Sequence, residues 1–91
     1  MGSEERLLLK GRLEEREQRA RHLAIAMAGH RKRIRQLNDP YQPIAQYDVT
    51  AVRVELDELH AKEQEYQALL HEIARLREDL GLPRYIAPSV S

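Results

Sequence analysis

Two runs of seven-residue repeat, parted by a segment with two prolines, leave this chain very few ways to fold. In the first run Arg6, Leu13, Ala20, Met27 and Ile34 recur in one register, and Leu9, Arg16, Leu23, His30 and Leu37 in the other. In the second, Val52, Leu59, Tyr66, Ile73 and Leu80 form a stripe flanked by Val49, Leu56, Glu63, Leu70 and Arg77, and Leu69 and Leu76 widen it. Seven residues make almost two whole turns of α-helix, so the repeat keeps one seam turned toward a neighbour along a whole helix. The spacing predicts helices over about 3–38 and about 48–80.

Local signals mark the ends. Ser3 is a suitable N-cap, and Glu4 and Glu5 place negative charge at the positive end of the helix dipole. His30, Arg31, Lys32, Arg33 and Arg35 gather at the opposite, carbonyl-rich end, and Asn38 can close it. Pro40 and Pro43 each lack a donor and bias the residue before them away from helix, which makes 39–47 a linker. Asp39-Pro40 can open a short helical turn, and Tyr41, Ile44 and Tyr47 are expected to fold back over the hairpin tip. Asp48 or Thr50 caps the second helix; Gly81 followed by Pro83 stops it. The remainder, 82–91, is aperiodic and expected to be mobile unless Tyr85 and Ile86 find a groove.

Charge says how the helices pair. Residues 1–38 hold ten Lys/Arg and five Asp/Glu, residues 39–91 five and ten, so the halves carry about +5 and −5 in a chain of zero net charge. Helices of opposite sign attract side by side. An antiparallel hairpin then sets Leu37 with Val49, Ile34 with Val52, His30 with Leu56, Met27 with Leu59, Leu23 with Glu63, Ala20 with Tyr66, Arg16 with Leu70, and Leu13 with Ile73. The small Ala20 opposite the large Tyr66 is the compensation close packing requires.

One hairpin of 91 residues buries little, and the run Leu23 to Gly29 is apolar on every side, as is Leu7-Leu8-Leu9. A second covering surface is expected from another copy. The fold expected is therefore all-α: a single-domain antiparallel coiled-coil hairpin, residues 1–91, dimerising into a four-helix bundle. Leu13, Leu23, Met27, Ile34, Leu59, Tyr66, Leu70 and Ile73 are the residues expected to carry self-association.

Chemistry is hard to find. With no cysteine there is neither a thiolate nucleophile nor a Cys-based zinc site. No apolar run approaches the roughly 20 residues a membrane span needs. His60 follows Asp57 at helical spacing and His71 adjoins Glu72, but a di-metal bundle needs paired Glu-x-x-His motifs and two further inward carboxylates. Both histidines read as boundary residues, His30 as a polar residue at a seam position, and no metal, cofactor or catalytic residue is expected. Phosphate-cradling glycine loops and nucleophile elbows are absent from the sequence. The strongest ligand signal is the basic run, in which Arg31 and Arg35 share a helical face with Lys32 beside them. It supports the alternative of a nucleic-acid-associated regulator.

At Leu37-Asn38-Asp39-Pro40-Tyr41-Gln42-Pro43 and at Glu72-Ile73-Ala74-Arg75-Leu76-Arg77-Glu78-Asp79-Leu80-Gly81 the chain resembles small helical-hairpin proteins encoded in Mu-like prophages. The likeness spans most of residues 5–81. It implies a bacterial cytoplasmic setting and a phage accessory protein near DNA transactions, and it assigns no catalytic or binding residue. The function expected is structural or adaptor-like and non-enzymatic, acting through self-association and a protein partner, with no membrane contact.

Overall fold

The computed structural model describes residues 2–90; Met1 and Ser91, the ends of the expected domain, lie outside the described residues. Helix α1 (Ser3–Leu37) and helix α2 (Val49–Asp79) pack against each other as an antiparallel hairpin, and no strand occurs among the described residues. The rod measures 64 × 19 × 14 Å, which is one helix thick in its smallest dimension.

Helix ends follow local chemistry, with one departure. The N-cap of α1 is Gly2, in extended conformation, and Ser3 is already helical. The helix starts one residue early because the Arg6 N–H donates to the Gly2 carbonyl at 3.0 Å. Asn38 closes α1 with its N–H on the Ile34 carbonyl. At the start of α2 the Asp48 carboxylate accepts the Ala51 N–H at 2.9 Å, so Asp48 rather than Thr50 is the cap. Gly81 adopts φ +67°, the left-handed conformation only glycine takes cheaply. It lets the Leu82 N–H return to the Arg77 carbonyl (2.8 Å) and its own N–H to Glu78 (3.0 Å), a Schellman close.

The linker differs from expectation. Asp39 opens a hydrogen-bonded turn, Gln42 N–H to Asp39 carbonyl, with its carboxylate on the Tyr41 N–H, and no helical turn forms there. The short 3₁₀ turn comes later, at Ile44–Gln46, behind Pro43. Tyr47 alone folds back, half-buried, its hydroxyl donating to Asn38 Oδ1. Tyr41 (92 % exposed) and Ile44 (86 %) point into solvent and do not cover the tip. The Asp39 turn fixes Tyr41 outward before it can reach α2.

Axial register is the expected one to within a helical turn: Arg6 reaches the Leu80 carbonyl, Arg16 reaches Glu72, Arg19 reaches Glu65 and His30 reaches Glu55. The facing of α2 is not. Val49, Leu56 and Glu63 are exposed, whereas Glu55, Leu69 and Leu76 are buried. The pairs His30/Leu56 and Leu23/Glu63 are therefore replaced; His30 meets Glu55, and Leu23 is buried while Glu63 faces out. Val52, Ile73 and Leu80 stay buried while the register beside them moves by one residue, a turn of roughly 50° about the α2 axis. That rotation buries Leu69 and Leu76 and hands Glu55 to the basic helix.

An apolar cluster lies at the open end of the hairpin, where Leu13, Ala20, Ile73, Leu76 and Leu80 come together and Leu9, Tyr66 and Tyr85 pack against them; Leu23, Ala28, Val52 and Leu69 are also buried, outside this cluster. The segment after Gly81, expected to be mobile, lies back along the hairpin: Tyr85 joins the core and Val90 reaches the level of Met27 and Leu59. Ile86 finds no groove and is exposed.

Candidate functional site

The rotation of α2 gives the hairpin two unlike long grooves. One is bridged by charge. Arg19 holds Glu65 through both carboxylate oxygens (2.9 and 3.0 Å), and Arg16 Nε donates to Glu72 at 3.1 Å. These pairs are half exposed, and each contributes at most about 1 kcal/mol. Their value is in direction, since they tie the basic helix to the acidic one along one edge.

Toward the tip this edge becomes a polar layer inside the rod. Glu55, only 6 % exposed, accepts from His30 Nδ1 at 2.6 Å on one oxygen and from Arg33 at 2.8 Å on the other. His30 Nε2 is 3.5 Å from Glu58. The hydrogen bond from His30, then that from Arg33, hold the Glu55 carboxyl below the usual carboxylate range, against the opposing effect of burial. Among the described residues no buried side-chain polar atom lacks a partner. Both ring nitrogens of His30 thus face carboxylates, Nδ1 within hydrogen-bond distance of Glu55 and Nε2 farther from Glu58.

His30, Glu55 and Glu58 are also the residues whose chemistry could hold a cation, with ligand atoms within 4.8 Å of one another. The two carboxylates, however, flank opposite nitrogens of one ring, and Arg33 already occupies the second Glu55 oxygen. The arrangement is an ion-pair layer rather than a metal cage. The histidines singled out by spacing are elsewhere: His60 is exposed beside Gln64, and His71 is exposed.

The second groove is mainly apolar, with Arg31 and Glu63 also in its lining. Ala24, Met27 and Ala28 form its α1 wall, Leu59 and Tyr66 its α2 wall, and Leu70 continues it toward the open end. Of the eight residues expected to carry self-association, Leu13, Leu23 and Ile73 are buried inside the single hairpin. They are used within one chain and are out of reach of a second. Met27, Ile34, Leu59, Tyr66 and Leu70 are half-buried, and all but Ile34 line this groove or its continuation.

Arg77 joins three parts of the molecule at the groove's end. Its guanidinium donates to Glu17 of α1 (2.6 Å) and to the Pro83 carbonyl (2.6 Å), and lies 5.9 Å from the centre of the Tyr85 ring, within cation–π range. Burial, followed by the nearby Glu17 charge, pushes the Tyr85 hydroxyl above the usual phenol value.

Arg31, Lys32 and Arg35 are all exposed, and none makes an ion pair among the described residues. Arg16, Arg19, Arg33 and Arg77, by contrast, are engaged across the hairpin. Glu55 and Arg77 were not marked as site residues by the repeat. A signal for Glu55 existed: counting back in sevens from Leu76 and Leu69 reaches Lys62 and then Glu55.

The chain matches no protein-family model, and comparison with curated proteins and with solved structures yields no match. No described helix is long and apolar enough to cross a membrane.

Proposed function

We propose that the protein is a non-enzymatic structural or adaptor protein that acts by self-association, two hairpins forming a four-helix bundle that docks a protein partner. The observation that carries this is the apolar groove: Met27, Leu59, Tyr66 and Leu70 stay half-exposed after both helices and the tail have packed. A rod with so thin a core gains most from a second layer. The titratable groups brought together, His30, Arg33, Glu55 and Glu58, face one another. A bacterial cytoplasmic setting and an accessory role in a Mu-like prophage follow from the resemblance in the linker and the end of α2.

Sedimentation tests the reading. At micromolar concentration the chain should have the mass of two chains, and Met27→Lys, which puts a charge on the groove floor, should weaken the dimer at least roughly tenfold. A folded wild-type chain that stays monomeric throughout this range refutes it.

A second reading is favoured by one observation, the three exposed and unpaired cations Arg31, Lys32 and Arg35 at the tip end of α1. A nucleic-acid-associated regulator would bind duplex DNA through them with affinity falling steeply as salt rises. Replacing all three by Ala should then abolish binding; indifference to DNA at low salt removes this reading.

A further inference from the structure

We propose that residues 82–90 are a displaceable strap, clasped by Arg77, over the groove into which a second copy of this chain docks. The inference rests on the self-association reading and adds its control.

The strap is extended. From the level of Leu80 to that of Leu59 the helix rises roughly 31 Å. Residues 81–90, at about 3.3 Å each when fully extended, reach roughly 33 Å. The tail therefore lies a single chain thick, with no slack to build structure of its own.

The strap is also lightly held. Among the described residues no backbone–backbone hydrogen bond joins it to the hairpin beyond Leu82, and the clasp is Arg77 on the Pro83 carbonyl and the Tyr85 ring. Tyr85, Pro88 and Val90 are half-buried, while Arg84, Ile86, Ala87 and Ser89 face solvent. A segment with so few attachments opens at low cost. It covers only part of the groove, which remains open between Val90, Met27 and Leu59.

Area and charge identify the competitor as another hairpin. The broad face of the rod projects roughly 1,200 Å², above the about 800 Å² per partner of a standard interface, whereas the strap covers a strip of it. Two hairpins laid groove to groove can be related in two ways. A two-fold axis across the rod sets α1 on α1, basic on basic. An axis along the rod sets α1 on the partner's α2, pairing the +5 half with the −5 half. The charges choose the second, with both tips at the same end.

Because the chain contains no cysteine, the strap can be both released and locked. The released variant carries Tyr85→Ser and Val90→Ser. In the locked variant Ala24→Cys and Val90→Cys are joined by a bismaleimide, pinning the tail end to α1. Sedimentation equilibrium is run on both and on wild type, with circular dichroism confirming helix content. The released chain should dimerise at least about tenfold more tightly than wild type, and the locked chain should be monomeric where wild type is dimeric. Equal dimer affinity in all three overturns the strap while self-association stands. A released chain that dissociates overturns it too, since the tail would then belong to the interface. If none dimerises, released chain included, the self-association reading fails and the strap with it.

Discussion

Ile73 is the largest fully buried side chain, at 0 % exposure, and it lies at the centre of the cluster with Leu13, Ala20, Leu76 and Leu80. Ile73→Ala removes three carbons. At about 0.8 kcal/mol each, the transfer loss is about 2.4 kcal/mol. The cavity left behind adds to it, because helices tied by ion pairs on one side and a strap on the other cannot close the gap fully, so about 3–4 kcal/mol is expected. Stabilities of small domains run at about 0.05–0.15 kcal/mol per residue, so this is a large share of the total. The matched control is the same change at Ile25, which is 62 % exposed on the back of α1. There the lost burial is about 0.9 kcal/mol, and the better helix propensity of Ala returns part of it, leaving about 0.5 kcal/mol. Urea unfolding followed by circular dichroism, at one fixed protein concentration, separates the two. An Ile73→Ala loss below about 1 kcal/mol, or one equal to that of Ile25→Ala, refutes the placement of the core. When the unfolding is repeated over a series of concentrations, a loss at Ile25 that grows with concentration would instead move the proposed dimer interface to the back of α1.

Asp48→Ala should cost about 1 kcal/mol by removing the cap on the Ala51 N–H, whereas Ser3→Ala should be nearly silent, since Ser3 caps nothing; thermal melts of the pair check both. Ala20, fully buried, should not tolerate a larger side chain, and Ala20→Leu should lose about 1–3 kcal/mol in urea. The folded-state value of Glu55 lies below its ordinary 4.5, so its contribution is complete above that pH and is lost as pH falls through the lower value. The gap in urea midpoint between wild type and Glu55→Gln should therefore be widest near neutrality and shrink below pH 4.5. Amide exchange should be slowest around Ile73 and Leu76 and faster around Val52 to Leu56, following the apolar cluster.

Much of the fold was legible because helix formation and its ends are local matters. The seam residues of α1, the Pro40–Pro43 break, the Asp48 cap and the Gly81 stop all act within a few residues of themselves. The axial register was legible from the hairpin connection, which sets the end of α1 opposite the start of α2. The facing of α2 was not. Val49, Leu56 and Leu70 on one side compete with Leu69 and Leu76 on the other, and counting apolar residues cannot rank two nearly equal stripes. The observed facing also carries the polar contact of Glu55 with His30 and Arg33, which no hydrophobic pattern contains. The candidate groove was legible in part, through Met27, Leu59, Tyr66 and Leu70. Its strap was not, because an aperiodic segment carries no register and Tyr85 is placed by Arg77, distant in pattern though near in space.

The split between an apolar open end and a polar tip has a physical basis in the chain's connectivity. The linker holds the tip ends of α1 and α2 together, so packing there has little entropy left to overcome. At the open end nothing covalent joins Leu9 and Leu13 to Ile73 and Leu80, and burial must do all the holding. The tip can therefore carry a layer that is poor as glue but selective. In this rotation of α2 Glu55 is paired with both His30 and Arg33, whereas the expected one would have set the Glu63 carboxylate against Leu23. With one edge closed by that layer and the Arg16–Glu72 and Arg19–Glu65 pairs, remaining apolar surface is driven to the opposite edge. The buried glutamate thus does more than join two helices. It goes with the facing of α2 that leaves the opposite edge to residues 82–90 and, in the proposed dimer, to a second copy.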